Sequence, residues 1–369
     1  MTTNMKYMTA WRSLKVPPEE LRLDTTLKCG QAFRWKVSGE SQWSCALKGR
    51  FITLRQTDSG IEYQSYFPIT KKSSDECEIE REFELIDKFL TDYFNLNPKI
   101  NLRECYDRWS MADKHFAKIA CQFKGIRILR QDPVENLICF ICSTNNNIIR
   151  ISQMIERLCN RYGNLVYTLN GQEYYDFPTL DKLASSNVEL ELRQLGFGYR
   201  AKYITQTAKY LTENYSDGEK WLYSLRNVDY KEAHSALLKL SGCLMSLDKH
   251  NAIPIDTHVW QIAKREYGFN TKGTVTKTLT SRLYEAIGDH FRNLFGDYSG
   301  WAHSVLFAAD LKAFQDRQPL IMTETLSKSD LDSPILIDSD KIVITKKKSR
   351  SKNIQKESIL LSNKRIRKN

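Results

Sequence analysis

Between residues 28 and 68 the buried-type positions recur at every second residue. Trp43, Cys45 and Leu47 alternate with polar neighbours, as do Ile52 and Leu54, and then Ile61, Tyr63 and Ser65. A period of two puts one face of an extended segment toward a core, so this stretch predicts half-buried strands. The pairs Ser38-Gly39, Lys48-Gly49 and Ser59-Gly60 fall between these runs at hairpin spacing, which makes the strands antiparallel. Beyond Pro68 the period lengthens, and Phe83, Ile86, Phe89 and Leu90 predict a helix over 80–95. Residues 1–112 are therefore expected to form an α+β unit.

From Asp113 onward every strong signal is helical. Asp132 supplies a cap and Pro133 an N1 proline for a helix through Leu137, Ile138 and Ile141. Ile148, Ile151, Ile155 and Leu158 form a second apolar stripe, and Tyr203, Ile204, Thr207, Ala208 and Leu211 a third. Asp229 with Glu232 resembles a capping box for a helix through Ala233, Ala236, Leu237 and Leu240, ending at Gly242. A last helix carries Trp301, Val305, Leu306 and Ala309. The second unit, residues 113–317, is expected to be all-α. Residues 318–369 turn to Ser, Asp and Lys with few aromatics, a composition too polar to build a core, and are expected to be disordered.

Charge narrows the function classes. The chain has 369 residues and a formal net charge of +11, but residues 341–369 carry 11 Lys/Arg against one Glu, nearly the whole excess. The folded part is close to neutral, so any nucleic-acid groove in it must come from local clustering. Basic runs at Lys346–Lys348 with Arg350, and at Lys364 to Lys368, read as nuclear-import or DNA-contact patches. Ile335–Asp340 is an apolar run abutting acids, of a kind that can add as a strand to a partner's sheet edge. No apolar run reaches the ~18–20 residues of a membrane span. The nine cysteines are odd in number and scattered, as in a reduced intracellular protein. Cys139 and Cys142 lie in the apolar stretch Leu137–Cys142, and core packing is the favoured reading over metal binding. No clustered Cys or His completes a zinc site.

Several short segments are hard to explain as core. Three consecutive asparagines, Asn145, Asn146 and Asn147, separate two apolar helices and are followed by Arg150. Asparagine competes with helix backbone and packs poorly. Gly196, Gly198, Tyr199 and Arg200 make a second such loop, which alone reads equally well as a plain helix start. Asp256, between Pro254 and a helix beginning near Thr257, reads alone as an N-cap. Gly30, within Leu27–Trp35, reads alone as a turn.

Taken together these segments resemble the helix-hairpin-helix DNA glycosylases, and among them the eukaryotic 8-oxoguanine DNA glycosylases, over roughly residues 10–316. The resemblance implies an N-glycosylase and abasic-site lyase of base-excision repair, acting on duplex DNA with 8-oxoguanine opposite cytosine. It implies a monomer without metal or organic cofactor, located in the nucleus, with the mitochondrion as a second compartment. Site residues follow by position. Asp256 matches the essential aspartate and His258 a DNA-phosphate contact, while Pro254 falls against the extruded nucleotide. Gly30 matches the glycine whose carbonyl accepts from N7–H, a donor that oxidised guanine has and guanine lacks. Phe307 matches the aromatic that stacks on the flipped base. Asn145 is assigned to the vacated space in the duplex, Arg150 and Arg200 to the orphaned cytosine, and Tyr199 to the wedge.

Two departures stand out. His303 occupies the place of a glutamine that reads the base edge, and a neutral imidazole replaces only part of an amide's hydrogen bonding. Between Gly242 and Cys243 the glycine-rich hairpin that carries the family's lysine nucleophile is missing. The family's spacing back from Asp256 reaches Leu237, which cannot serve. Lys239 lies on the preceding helix, and Lys249 falls in what the resemblance makes a surface turn. A Schiff-base mechanism needs an amine at C1′, so this chain is expected to be impaired. The rival expectations are a monofunctional glycosylase using Asp256 alone and a DNA-binding protein that does not cut.

Overall fold

A computed structural model describes residues 6–68, 76–238, 245–269 and 280–317. The Gly242–Cys243 junction, Lys239 and the tail with Ile335–Asp340 lie outside the described residues. The described residues belong to one compact unit.

The N-terminal sheet has six antiparallel strands: β1 (Lys6–Met8), β2 (Arg12–Ser13), β3 (Lys36–Gly39), β4 (Gln42–Leu47), β5 (Arg50–Thr57) and β6 (Gly60–Pro68). Their order is β1-β6-β5-β4-β3, with β2 also on β6. The alternation read from the chain sets the register: Trp43 faces Leu54 across β4 and β5, and Leu54 faces Tyr63 across β5 and β6. Lys48 and Gly49 both adopt positive φ, 50° and 79°, as a two-residue type I′ turn requires.

The helices are α1 (Leu23–Thr26), α2 (Glu76–Tyr93), α3 (Leu102–Ala112), α4 (Lys114–Ala120), α5 (Pro133–Ser143), α6 (Ile148–Tyr162), α7 (Leu180–Ala184) and α8 (Val188–Gln194). They continue as α9 (Arg200–Asn214), α10 (Gly218–Ser224), α11 (Tyr230–Leu238), α12 (Thr257–Glu266), α13 (Ser281–Phe295) and α14 (Ser299–Asp310). Ile86 and Leu90 of α2 pack with Trp43, Leu54 and Tyr63 on one face of the sheet.

Apart from α1 and α2, which join the sheet's core, the helices divide between two cores that do not follow chain order. Helices α5–α11 share one. The other joins α12–α14 to α3 and α4, with Trp109 and Phe116 meeting Phe295 and Ile287. The expected boundary at residue 112 thus falls inside a packed helix pair, where Tyr106 and Trp109 lie against Phe116 at ring separations of 5.6 and 5.5 Å. Cys139 and Cys142 are buried in the α5–α11 core, and burial pushes the Cys142 thiol up to about 12.

One element corrects the all-α expectation for the second half. Strands β7 (Leu165–Leu169) and β8 (Gln172–Tyr175) form a hairpin. Its turn is Asn170-Gly171 with φ of 49° and 80°, the strongest short-range hairpin signal, which the apolar helical stripes on either side obscured. Tyr167 stacks on Phe51 at 4.5 Å and Tyr174 meets the same ring edge-on at 4.8 Å, so the hairpin covers the second face of the sheet.

Candidate active site and nucleic-acid interface

The segment leading to Asp256 is extended and pinned along its length. Ile253 and Ile255 point into the core of α12–α14, so the intervening Pro254 and the following Asp256 are exposed. Upstream, the Gly300 N–H donates to the His250 carbonyl at 2.9 Å, and Trp301 Nε1 donates to His250 Nδ1 at 3.1 Å. Burial lowers the pKa of His250, which favours the neutral ring that accepts this bond. The approach leaves no room for a side chain on Gly300, where a Cβ would sit 2.5 Å from the Ala252 carbonyl and 2.6 Å from that of His250. Gly300→Ala is therefore expected to destabilise the fold by about 1–3 kcal/mol through forced backbone shifts. Chemical denaturation measures this, and a variant as stable as the parent would show that the segment is not held by this contact.

Asp256 caps α12, with Oδ1 accepting from the Val259 N–H at 2.9 Å. Its other oxygen accepts no hydrogen bond among the described residues, and the residue is exposed. The cap and the chemical role are therefore compatible, since one oxygen fixes the carboxylate and the other stays available. His258, one residue into the helix, is exposed; its ring lies 5.8 Å from Phe307, edge to face, and its Nδ1 3.8 Å from Asp310.

Three distant parts of the chain meet around Phe307. Gly30 has φ of +84°, and a Cβ there would meet Ile148 Cδ1 at 3.2 Å and Phe307 Cε1 at 3.8 Å. The glycine is needed both for its backbone and for the close approach. Phe307 and His303 sit one turn apart on the same face of α14, with ring centroids 6.3 Å apart and planes 34° apart. Phe291 of α13 closes the other side of His303 at 6.4 Å. His303 is 4% exposed, and neither ring nitrogen has a hydrogen-bond partner among the described residues. Its pKa falls to about 4, because burial disfavours the cation; the Asp256 carboxylate opposes the shift, so the two groups share one local field. Ile148 and Phe291 escaped the sequence reading, since each looks like an ordinary core position on its own helix.

The asparagine loop is explained by its backbone. Asn147 caps α6, accepting from the Arg150 N–H at 3.0 Å. Asn146 Nδ2 donates to the Cys142 carbonyl at 2.9 Å. Asn145 takes a positive φ of 48°, which asparagine tolerates better than other branched or bulky residues. Asn145 and Arg150 are exposed. The second loop docks onto the first. The Tyr199 hydroxyl donates to the Thr144 carbonyl at 3.2 Å, and Arg200 Nη2 donates to the carbonyls of Thr144 and, at 3.2 Å, Asn145. The Arg200 guanidinium lies 4.6 Å from the Tyr199 ring centroid. Tyr199 is half exposed, whereas Arg200 is buried. Arg200 thus differs from its expected place as an outward contact: in the free chain it holds the Asn145 loop in shape.

Lys249 also differs from expectation. It is 8% exposed rather than on a surface turn, and its Nζ donates to the carbonyls of Arg226 and Val228 at 3.0 and 2.5 Å. Burial lowers its pKa, yet the amine is engaged with backbone, tying the segment before Asp256 to the end of the turn at 225–227.

Comparison with known proteins identifies the family. Residues 13–137 match the family described as 8-oxoguanine DNA glycosylase, N-terminal domain, and residues 138–286 the HhH-GPD superfamily of base excision DNA repair proteins. The chain is 39% identical over 314 residues to the N-glycosylase/DNA lyase OGG1 of Arabidopsis thaliana, covering 82% of this chain and 81% of that protein. It is 35% identical over 335 residues to the N-glycosylase/DNA lyase of Saccharomyces cerevisiae, covering 81% and 85%. Among solved structures it resembles Clostridium acetobutylicum 8-oxoguanine glycosylase/lyase in complex with double-stranded DNA containing cytosine opposite 8-oxoguanine. That match has a TM-score of 0.62 and 25% identity, over 80% of this chain and 92% of the other. By these identities and coverages the chain belongs to the 8-oxoguanine DNA glycosylase family, the N-glycosylase/DNA lyases of base-excision repair.

Proposed function

We propose that this chain binds duplex DNA and receives oxidised guanine, extruded from its pair with cytosine, in the pocket of Gly30 and Phe307. The observation that carries the reading is the convergence of Gly30, Ile148 and Phe307 beside the Asp256 helix cap. Extrusion needs groups that enter the duplex, and Asn145, Arg150 and Tyr199 are exposed on two loops joined through Arg200. His258 offers a donor to a phosphate, and Pro254 a flat apolar contact to the flipped nucleotide. The chain acts as a monomer in the nucleus, where the basic tail adds sequence-independent attraction to DNA. With no residue matching the family's amine nucleophile, its excision chemistry is severely impaired.

Competition binding with the full chain tests the reading. A duplex with 8-oxoguanine opposite cytosine is expected to bind at least about tenfold more tightly than the same duplex with guanine, one charge-assisted or well-formed hydrogen bond's worth of discrimination. Equal affinity for the two duplexes would remove the lesion from the proposal and leave a general DNA-binding protein. Slow hydrolysis by Asp256 alone is the second reading, favoured by the exposure of the residue and an oxygen that accepts no hydrogen bond among the described residues.

A further inference from the structure

Exposed apolar side chains gather where the Asn145 and Tyr199 loops meet. In the first turn of α6, Ile148 turns in toward Gly30 and Ile151 is buried, while Ile149 between them is 73% exposed. At the start of α9, Ala201 and Ile204 are buried and Tyr203 is 54% exposed. The Tyr203 ring meets that of the half-exposed Tyr199 edge-on, with centroids 6.2 Å apart. Bonds from Tyr199 and Arg200 to the carbonyls of Thr144 and Asn145 join the two loops, so the starts of both helices belong to one surface.

A lone exposed apolar side chain is ordinary, but several together, rimmed by polar groups, mark a contact surface. The rim is Asn145, Arg150 and Lys202, all exposed. Neither helix carries an acid in its first turn, and α9 has none before Glu213. An apolar centre whose rim bears only positive charge fits nucleic acid better than an apolar protein partner. Phosphates meet the cations, and an isoleucine or an aromatic ring can enter an opened base step. The surface also includes Tyr199, so it is continuous with the DNA interface proposed above.

Resting on the DNA binding proposed above, we infer that Ile149 and Tyr203 broaden the Tyr199 wedge into an apolar platform that engages the cytosine-bearing strand of an opened duplex, with Lys202 on a phosphate beside it. Ile149 adjoins Arg150 on α6, and Tyr203 lies one turn from Arg200 on α9. The platform therefore meets the strand together with the groups assigned to the orphaned cytosine. Its apolar side chains find a partner only where the stack is broken. It favours opened over intact duplex whatever base has been extruded, and adds affinity that does not pass through the pocket of Gly30 and Phe307.

The experiment compares affinities of the full chain for three duplexes, with 8-oxoguanine, a tetrahydrofuran abasic analogue or guanine opposite cytosine. The abasic duplex offers an opened stack and no base to read. Ile149→Ser and Tyr203→Ala are each expected to weaken binding to the 8-oxoguanine and abasic duplexes by about tenfold, at the scale of one base contact, and to the guanine duplex less than twofold. Lys202→Gln is expected to weaken all three alike and to lower the slope of affinity against salt by about one. A benzophenone amino acid in place of Tyr203 is expected to cross-link the cytosine-bearing strand. Abasic-duplex affinities within twofold of the parent in both apolar variants, equal losses on the guanine duplex, or a cross-link to the lesion strand overturn the inference while the proposed function stands. A parent chain that prefers the abasic duplex, loses that preference in the variants, yet binds 8-oxoguanine no better than guanine supports the platform and overturns the proposed function.

Discussion

In the presence of borohydride, the full chain and a duplex carrying 8-oxoguanine opposite cytosine are expected to yield no covalent adduct. Trapping requires a Schiff base between a free amine and C1′ of the sugar. The lysine nearest in sequence before Asp256 is Lys249, and its amine is buried on the carbonyls of Arg226 and Val228. Withdrawing it would leave those acceptors unpaired and unwind the support of the segment that carries Asp256. Lys239 precedes the junction and lies outside the described residues. Insertion of a glycine-rich, lysine-bearing hairpin between Gly242 and Cys243 is expected to create the adduct and to raise strand cleavage on the order of 100-fold or more. An adduct formed by the unaltered chain, mapped by mass spectrometry to Lys239 or Lys249, would refute the loss of the nucleophile. Free 8-oxoguanine released without an adduct, and abolished by Asp256→Asn, would identify the hydrolytic reading as correct.

A second large effect is expected far from the pocket, at Glu135. Its carboxylate is 8% exposed and meets Arg34 Nη1, itself in a side chain 7% exposed, at 2.7 Å. Arg34 also donates through Nη2 to the carbonyls of Ala46 and, at 2.8 Å, Tyr175. One guanidinium therefore joins β4, the first turn of α5 and the β7–β8 hairpin. Glu135→Ala would leave that cation buried and uncompensated, a loss expected to reach about 3–5 kcal/mol. Glu135→Gln keeps a hydrogen-bond acceptor and should cost less. Urea denaturation at neutral pH reads both. A Glu135→Ala loss under 1 kcal/mol would show that Arg34 is adequately served by the two carbonyls alone.

Much of the fold was legible because its signals are local. Alternation at Trp43, Cys45 and Leu47, the Asp132-Pro133 start of α5 and the stripe Ile148, Ile151, Ile155 and Leu158 each report a periodicity within one element. The β7–β8 hairpin carried an equally local signal at Asn170-Gly171, but its strands are half exposed and their aromatic residues pack across onto Phe51 and Tyr66 of the sheet. Similarly, nothing within residues 102–120 says that α3 and α4 complete the core of α12–α14. Periodicity tells which face of an element is buried and is silent on what buries it.

The site divides along the same line. By itself the sequence determined the family resemblance, the cap at Asp256, the turn-prone Gly30 and the asparagine loop, because each depends on residue type and near-neighbour spacing. Only the tertiary structure decided that a side chain on Gly30 would run into Ile148 and Phe307, that Arg200 turns inward to hold the Asn145 loop, and that Lys249 is spent on backbone carbonyls. It alone decided that His303 is buried, which lowers its pKa to about 4, and that neither ring nitrogen has a hydrogen-bond partner among the described residues. The physical reason is that burial and hydrogen-bond partnership depend on atoms far away along the chain, and these fix the charge, reach and availability of a side chain that its own segment leaves open.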